Sequence, residues 1–338
     1  MGSYILKRLI NLIPTLLVVA IIVFVITRLI PGDPAAVMLG PQASVEDVAN
    51  LRDELGLNES VPAQFISYVA DLAQLNLGHS YSYSESVIGL ILERFPNTVI
   101  LALAALVIAV VIGIPAGILA ARKQNKMIDY AVMLVSLVGV SMPIFWLGIM
   151  LVLLFSVNLG WLPATGMGSL EDGVWTYIKH LILPAFALAT IPMATFARIT
   201  RSSMLEVISQ DYIKTARSKG IKEYLVIGKH AFKNALTPIL TVLGMQISNL
   251  LGGAVLTETI FSWPGMGRLI VDAIDKRDFV VVQGTVIFIA LIFVLINLAV
   301  DILYKVVNPK VNLESDGGKK ITMAQAIVND NKKKKYVA

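Results

Sequence analysis

Few residues in this chain could do chemistry. Three histidines, His79, His180 and His230, are scattered along 338 residues that contain no cysteine. Thiolate nucleophiles, disulfides and thiolate metal sites are therefore excluded. Isolated histidines without an HExxH pair supply no local zinc ligands. Ser141 follows Gly139 in a setting that would suit a nucleophile, but a serine hydrolase also needs a histidine facing it at the same depth. All three histidines are expected in loops. No G-x-x-x-x-G-K-[ST] loop is present to cradle nucleotide phosphates, so any ATP hydrolysis belongs to another chain. Glu258 and Asp301 stand directly after long apolar runs. A charge at membrane depth is costly and usually marks a pathway. Glu258 is accordingly either a pathway or gating residue, or an interfacial carboxylate hydrogen-bonded to neighbouring helices. No catalytic residue, bound cofactor or metal site is expected on the chain itself.

Composition sets the elements that must hold these residues. The sequence is 56% hydrophobic and 15% charged, with a mean hydropathy of +0.75, whereas a soluble domain carries about a quarter charged residues. Six stretches lack Asp, Glu, Lys and Arg and are long enough to cross the hydrocarbon layer, which takes about 20 residues: 9–27, 98–121, 131–157, 181–197, 238–257 and 281–300. Six such runs leave no polar shell for a soluble core, and the strand alternation of a barrel is absent. The expected fold class is an all-α membrane protein with six transmembrane helices. The first run has 19 uncharged residues, more than the core of about 7 to 15 in a cleaved signal, and is expected to be retained. Of the 28 Lys and Arg residues, 21 fall on the side of the N-terminus and 7 on the other. The positive-inside rule then puts both termini in the cytoplasm. The net charge of +5 reads as topology, with no nucleic-acid partner.

The loops carry further signals. In the first external segment, 28–97, Val48, Leu51, Leu55 and Leu57, then Phe65, Tyr68, Val69, Leu72 and Leu75, predict two short amphipathic helices. Pro31, Gly32, Asp33 and Pro34 should end the first span, and Pro62 suits a first helical turn. Trp161, Trp175 and Tyr177 in the second external loop read as interfacial anchors. Pro143, Pro184 and Pro192 should kink the third and fourth spans. Gly252 and Gly253, late in the fifth span, suit either close contact with a partner subunit or the lining of a pathway. Pro264 and Gly265 read as a turn. In the long internal loop, 198–237, Asp211 as N-cap and Gly220 as C-cap bracket a helix over 212–219 with Arg217 and Lys219 in its last turn. Eight residues make a helix about 12 Å long, which is unstable alone in water and must pack on something. A basic face laid on anionic lipid would suffice. Residues 311–338 are polar, carry Lys332 to Lys335, and are expected to be a disordered, solvated tail.

At this internal loop the sequence resembles the membrane subunits of bacterial ATP-binding-cassette (ABC) importers, in the branch that handles peptides, nickel and opines. DYIKTARSKG, followed by HAFKNALTP, resembles that family's cytoplasmic EAA loop. Thr215 and Ala216 match its two small positions, Lys219 and Gly220 its closing turn, and Pro238 its later proline. Lys214 stands where the broader superfamily has Glu, as is common in the peptide branch. GGAVLTETIFSWPGMGRL (252–269), ERFPNTVILALAAL, SMPIFWLG, RITRSSMLEVISQDY and NLAVDILYKVVNPK extend the likeness over positions 4 to 310 in one order. The long first external loop is most like the B-type permease of dipeptide and oligopeptide systems.

The resemblance implies a type I ABC importer permease fold. It divides the chain into an N-terminal helix with its external loop (1–97), a five-helix core (98–310) and the tail (311–338). It implies a coupling helix carrying Asp211, Tyr212, Thr215, Ala216, Arg217, Lys219 and Gly220 that sits in a groove of a partner ATPase. It further implies a second homologous permease, two ATP-binding subunits holding ATP and Mg, an external substrate-binding protein, and uptake of di- or oligopeptides across a bacterial inner membrane by alternating access. Nickel chelates or glutathione are alternatives within the family. A self-contained channel or secondary carrier is the competitor outside it, weakened by the lack of a buried proton relay.

Overall fold

The structure is a computed structural model that describes residues 2–29, 33–40, 42–80, 82–169 and 171–307. The proposed tail 311–338 and the Pro31–Gly32 break lie outside them. The elements in order are α1 (Gly2–Leu29), α2 (Pro34–Leu39), α3 (Val45–Glu54), α4 (Val61–Ala73), β1 (His79–Ser80), β2 (Glu85–Ser86), α5 (Val87–Arg122), α6 (Met127–Ser141), α7 (Ile144–Leu151), α8 (Val174–Ile208), α9 (Asp211–Ser218), α10 (Glu223–Leu225), α11 (Phe232–Gly253), α12 (Val255–Ile260), α13 (Met266–Asp275) and α14 (Phe279–Val307). Two π-helical stretches, Val152–Asn158 and Val226–Ala231, continue α7 and lead into α11.

Five of these helical segments are long and apolar enough to cross a membrane. A sixth crossing requires α6 and α7 to act together. The expected third span is not one helix: Met142 and Pro143 separate α6 from the α7 segment, which turns by 105°. Pro143 cannot donate a backbone hydrogen bond and disfavours helical geometry in the residue before it, so the run of apolar residues breaks instead of bending. By contrast α8 runs unbroken through Pro184 and Pro192. The fifth run ends at Gly253, and its last residues form the separate helix α12. Among its described residues the external segment holds three short helices and a small hairpin instead of two helices. In it, Ser44 and Asp47 form a reciprocal capping box at α3, and Pro62 sits in the first turn of α4 as expected.

The core is built on α5 and α8, which share the largest contact in the fold. Along α5, Thr98, Ala102, Ala105, Ala109, Gly113 and Gly117 recur every three or four residues and are all buried, giving a face of small residues. Lipid tails are as apolar as side chains, so helices in a membrane gain mainly from close packing, and small residues permit it. A Cβ on Gly113 would lie 2.5 Å from the Met193 carbonyl oxygen, and one on Gly117 2.5 Å from that of Ala197. Leu188, Ala189 and Phe196 of α8 and Ile239 and Leu250 of α11 complete this core.

The hairpin is fastened to the corner between α13 and α14. Ser80 donates to Asp278 Oδ2 at 2.6 Å, and Asp278 Oδ1 accepts from the Val281 amide at 3.2 Å, capping α14. Tyr177 is half-buried, its ring packed edge-on against buried Trp263 with centroids 6.0 Å apart. Trp161 and Trp175 are exposed. Of the histidines, His79 lies in β1, but His180 is inside α8 and His230 in the π stretch before α11.

Candidate functional site

The residues proposed for coupling gather on one short helix with two different faces. Ile213 and Ala216, three positions apart, point inward and join Met204 of α8, Ala121 of α5, and Val226, Ile227 and Ala231 of the π stretch. Asp211, Tyr212, Lys214, Thr215, Arg217, Ser218 and Lys219 face outward. An eight-residue helix gains its order from this apolar root, not from its own propensity. The expected boundaries shift by one residue. Asp211 is the first helical residue and not the N-cap, a position held by Gln210. Its carboxylate accepts instead from Lys214 Nζ at 2.9 Å.

Gly220 adopts φ +74°, the left-handed conformation that closes a helix. Its amide donates to the Arg217 carbonyl at 2.9 Å, and the Ile221 amide to that of Ala216 at 3.3 Å. These two bonds make a Schellman closure. Arg217 then bridges to Glu223, donating from Nη2 to Oε1 at 2.8 Å, a contact that raises the guanidinium pKa further. Tyr212 Oη accepts from Asn234 Nδ2 at 3.0 Å, tying the outer face to α11.

Glu258 is fully buried. Its Oε1 accepts from Thr98 Oγ1 at 2.7 Å; its Oε2 accepts from the amides of Gly267 at 2.7 Å and Arg268 at 3.2 Å. Thr98 Oγ1 in turn accepts from the Met266 amide at 2.8 Å. The carboxylate and the hydroxyl together satisfy the first three amides of α13, donors that an α-helix leaves unpaired. Trp263 Nε1 donates to the Asn97 carbonyl at 2.9 Å and Asn97 Nδ2 to that of Pro264 at 2.8 Å. The result is a clasp joining α12, the turn at 261–265, α13 and the beginning of the core stretch of α5. Of the two alternatives read from the sequence, this geometry is that of the hydrogen-bonded carboxylate. Gly252 is exposed, and a Cβ there would meet nothing within 4 Å; Gly253 ends α11.

One pair escaped the sequence reading. Asp129, in the first turn of α6, accepts from Arg201 Nε at 2.5 Å and Nη2 at 2.7 Å, and from the Asn125 amide at 3.0 Å. Its side chain is 2% exposed. The pair pins α6 to α8 one turn before Met204 and the apolar root of α9. Arg201→Ala strands the buried Asp129 carboxylate and is expected to cost about 3 kcal/mol; Asp129→Ala leaves a guanidinium that is 25% exposed and should cost less. The double variant should cost clearly less than the sum of the two. Thermal unfolding of the four proteins in detergent checks this, and strict additivity would contradict a direct pairing. Among the described residues no three His, Asp or Glu side chains converge on a common point.

Comparison with known proteins agrees with this architecture. The family described as binding-protein-dependent transport system inner membrane component matches residues 113–313, and its N-terminal companion matches residues 1–102. The chain is 48% identical over 331 residues to a dipeptide transport system permease protein of Alkalihalophilus pseudofirmus, covering 92% of this chain and 99% of that one. It is 46% identical over 340 residues to a di/tripeptide transport system permease protein of Pseudomonas aeruginosa, with the same two coverages. A glutathione transport system permease protein of Salmonella choleraesuis is 42% identical over 311 residues, covering 92% and 99%. Among solved structures, the methionine ABC transporter MetNI in an inward-facing form matches with a TM-score of 0.54 at 17% identity, covering 65% of this chain and 97% of that one. That likeness concerns the fold. On the matched length and identity, this chain belongs to the binding-protein-dependent transport system inner membrane component family, the permease subunits of ABC importers.

Proposed function

We propose that the chain is one of two permease subunits of an importer for di- and oligopeptides. It works with a second homologous permease, two ATPase subunits and an external binding protein, with both termini in the cytoplasm. The relatives named as dipeptide and di/tripeptide permeases support the substrate class. The observation that carries the mechanism is the two-faced α9. Its apolar root is shared with α5, α8 and the segment leading into α11, so a push on its polar outer face reaches three membrane helices through buried contacts. ATP and Mg bound on the partner subunits would supply the energy. ATP must favour the outward-open arrangement by several kcal/mol to move the population, since a ligand shifts an equilibrium only by its differential affinity for the two states. Gly252, exposed on the end of α11, would face the second permease or the passage between the two.

Gly220→Pro tests the coupling. Proline fixes φ near −65° and has no amide, so it can neither adopt the +74° conformation nor make the bond to Arg217. In the reconstituted transporter, peptide uptake is expected to fall about tenfold while membrane insertion is kept and ATP hydrolysis continues. Unchanged uptake per ATP hydrolysed would remove α9 from the coupling path. ATP-independent uptake by the chain alone would favour the channel or carrier. The glutathione permease among the relatives makes glutathione the second substrate to assay.

A further inference from the structure

Between α5 and α6 an open groove of about 410 Å³ runs over α8. Ile112 and Ala116 of α5 form one bank, Val135 and Val138 of α6 the other, and Met193 and Ala194 of α8 the floor. From Ala131 to Met142 the groove follows α6 for about 16 Å, at 1.5 Å per residue. Its two hydroxyls are already engaged: Ser136 donates to the Val132 carbonyl at 2.7 Å and Thr190 to that of Phe186 at 3.0 Å. None of the residues lining it is charged, so it offers water no partners and suits an apolar group. Its far end lies at the break in the third span, with Gly139 and Met142 on one side of Pro143 and Leu147 on the other. Here the backbone is open. Among the described residues no hydrogen bond reaches the carbonyls of Gly139, Val140 and Ser141, and none leaves the amides of Ile144, Phe145 and Trp146. Counted from Lys126 at its start, the 15 residues of α6 rise about 22 Å into a hydrocarbon layer about 30 Å thick. The break therefore lies within that layer.

Lipid tails cannot satisfy these backbone groups, and an apolar helix of a second permease could not either. Broken backbone at membrane depth is tolerated where it is buried in protein or lines a water-filled cavity, and discontinuous helices of this kind form substrate sites in other transporters. The three carbonyls stand at the negative end of the α6 dipole, which favours a cation. A row of acceptors for a cation thus adjoins a slot for an apolar group. The first residue of an unblocked peptide presents that combination, an ammonium and a side chain on one carbon. Resting on the peptide import proposed above, we propose that the groove and the carbonyls of Gly139, Val140 and Ser141 line the passage and seat the first residue of a peptide in transit, its side chain in the groove and its ammonium at the carbonyls. A charged side chain finds no partner in the groove. The permease thereby adds its own preference for apolar N-terminal side chains to the selection made by the external binding protein.

The chain has no cysteine, so single cysteines can report on the site. Ser141 is exposed at the end of α6, Val138 is 42% exposed on the bank of the groove, and Ile22 of α1, 50% exposed, is the control. The assembled transporter in detergent, its partner subunits freed of cysteine, is treated with a charged methanethiosulfonate, which attacks a thiolate in water and spares a thiol held in hydrocarbon. Ser141→Cys and Val138→Cys should be modified at least about tenfold faster than Ile22→Cys. Dileucine at millimolar concentration should slow modification of Val138→Cys several-fold, whereas N-acetyldileucine and diaspartate should not. Modification of Ser141→Cys as slow as that of Ile22→Cys would overturn the assignment, by showing hydrocarbon or an apolar neighbour against the break. Equal protection by all three peptides, or by none, would overturn it too. Val135→Trp narrows the groove while the binding protein is unchanged, and should cut uptake of dileucine about tenfold relative to dialanine; an unchanged ratio counts against the seat. Uptake by the unsubstituted transporter tests the import reading separately: selective protection by dileucine without any ATP-driven uptake would fault that reading and leave the seat in place.

Discussion

Gly117→Leu is expected to leave almost no folded protein in the membrane. A Cβ at this position would lie 2.5 Å from the Ala197 carbonyl oxygen, 2.6 Å from Thr200 Cβ and 3.1 Å from the Arg201 amide nitrogen. Backbone and branch-point atoms cannot step aside, so α5 and α8 would have to part along their main contact. Overpacking typically costs about 1 to 3 kcal/mol where side chains can adjust, and here the obstruction is the neighbouring helix itself. The same displacement would move Arg201 from Asp129 and disturb the root of α9. Gly139→Ala provides the contrast: its nearest neighbour would be Thr190 Cγ2 at 3.2 Å, a methyl that can shift. Gly252→Ala meets nothing within the chain and should leave folding untouched. The check is the yield and melting temperature of the three variants in detergent; a normal melting temperature for Gly117→Leu would refute the close crossing.

Glu258→Ala should be the second severe lesion. It orphans the Thr98 hydroxyl and two amides of α13 and leaves a void in a fully buried site, at a cost of about 3 kcal/mol or more. Glu258→Gln keeps the shape and one acceptor oxygen, but it turns an NH2 toward a site built of donors, and about 1 kcal/mol is expected. A clasp and a gate then give different results. With a clasp, uptake and the amount of folded protein fall together, in the order Ala then Gln. With a gate, uptake falls while the folded amount stays at the wild-type level. Comparing peptide uptake per folded molecule across the two variants separates them.

Much of this was legible in the sequence because lipid imposes simple rules. Uncharged runs of spanning length marked the positions of the five crossing segments, and Pro62 and Gly220 behaved as local chemistry demands. The failures have physical reasons too. The run through 131–157 carries no charge at its midpoint, so composition could not show that Pro143 divides it at 105°. Asp211 had the side chain of an N-cap, but its neighbour Gln210 took the extended backbone, and the carboxylate found Lys214. Asp129 belongs to no local motif; its partner lies 72 positions away, beyond any local pattern. One signal was available and unused: the spacing of Thr98, Ala102, Ala105, Ala109, Gly113 and Gly117 is the imprint of a helix pressed against another along its whole length. The clasp around Glu258 depends on amides of a helix that begins eight residues later, a pairing that only the folded chain displays.

The π stretch at Val226–Ala231 has a further consequence. A π turn closes its hydrogen bonds over one residue more than an α turn, so this arm contains a single surplus residue within the apolar root of α9, just before α11 begins. Gly228 lies at its centre, with open space where a side chain would be. Loss of one residue here would restore ordinary α geometry and keep every side chain of α11 on its own face, whereas the same loss a turn later would rotate the entire helix by about 100°. The arm thus has one place where its length can change without altering which face of α11 meets the core. Among homologous chains, single-residue length differences should collect at that point.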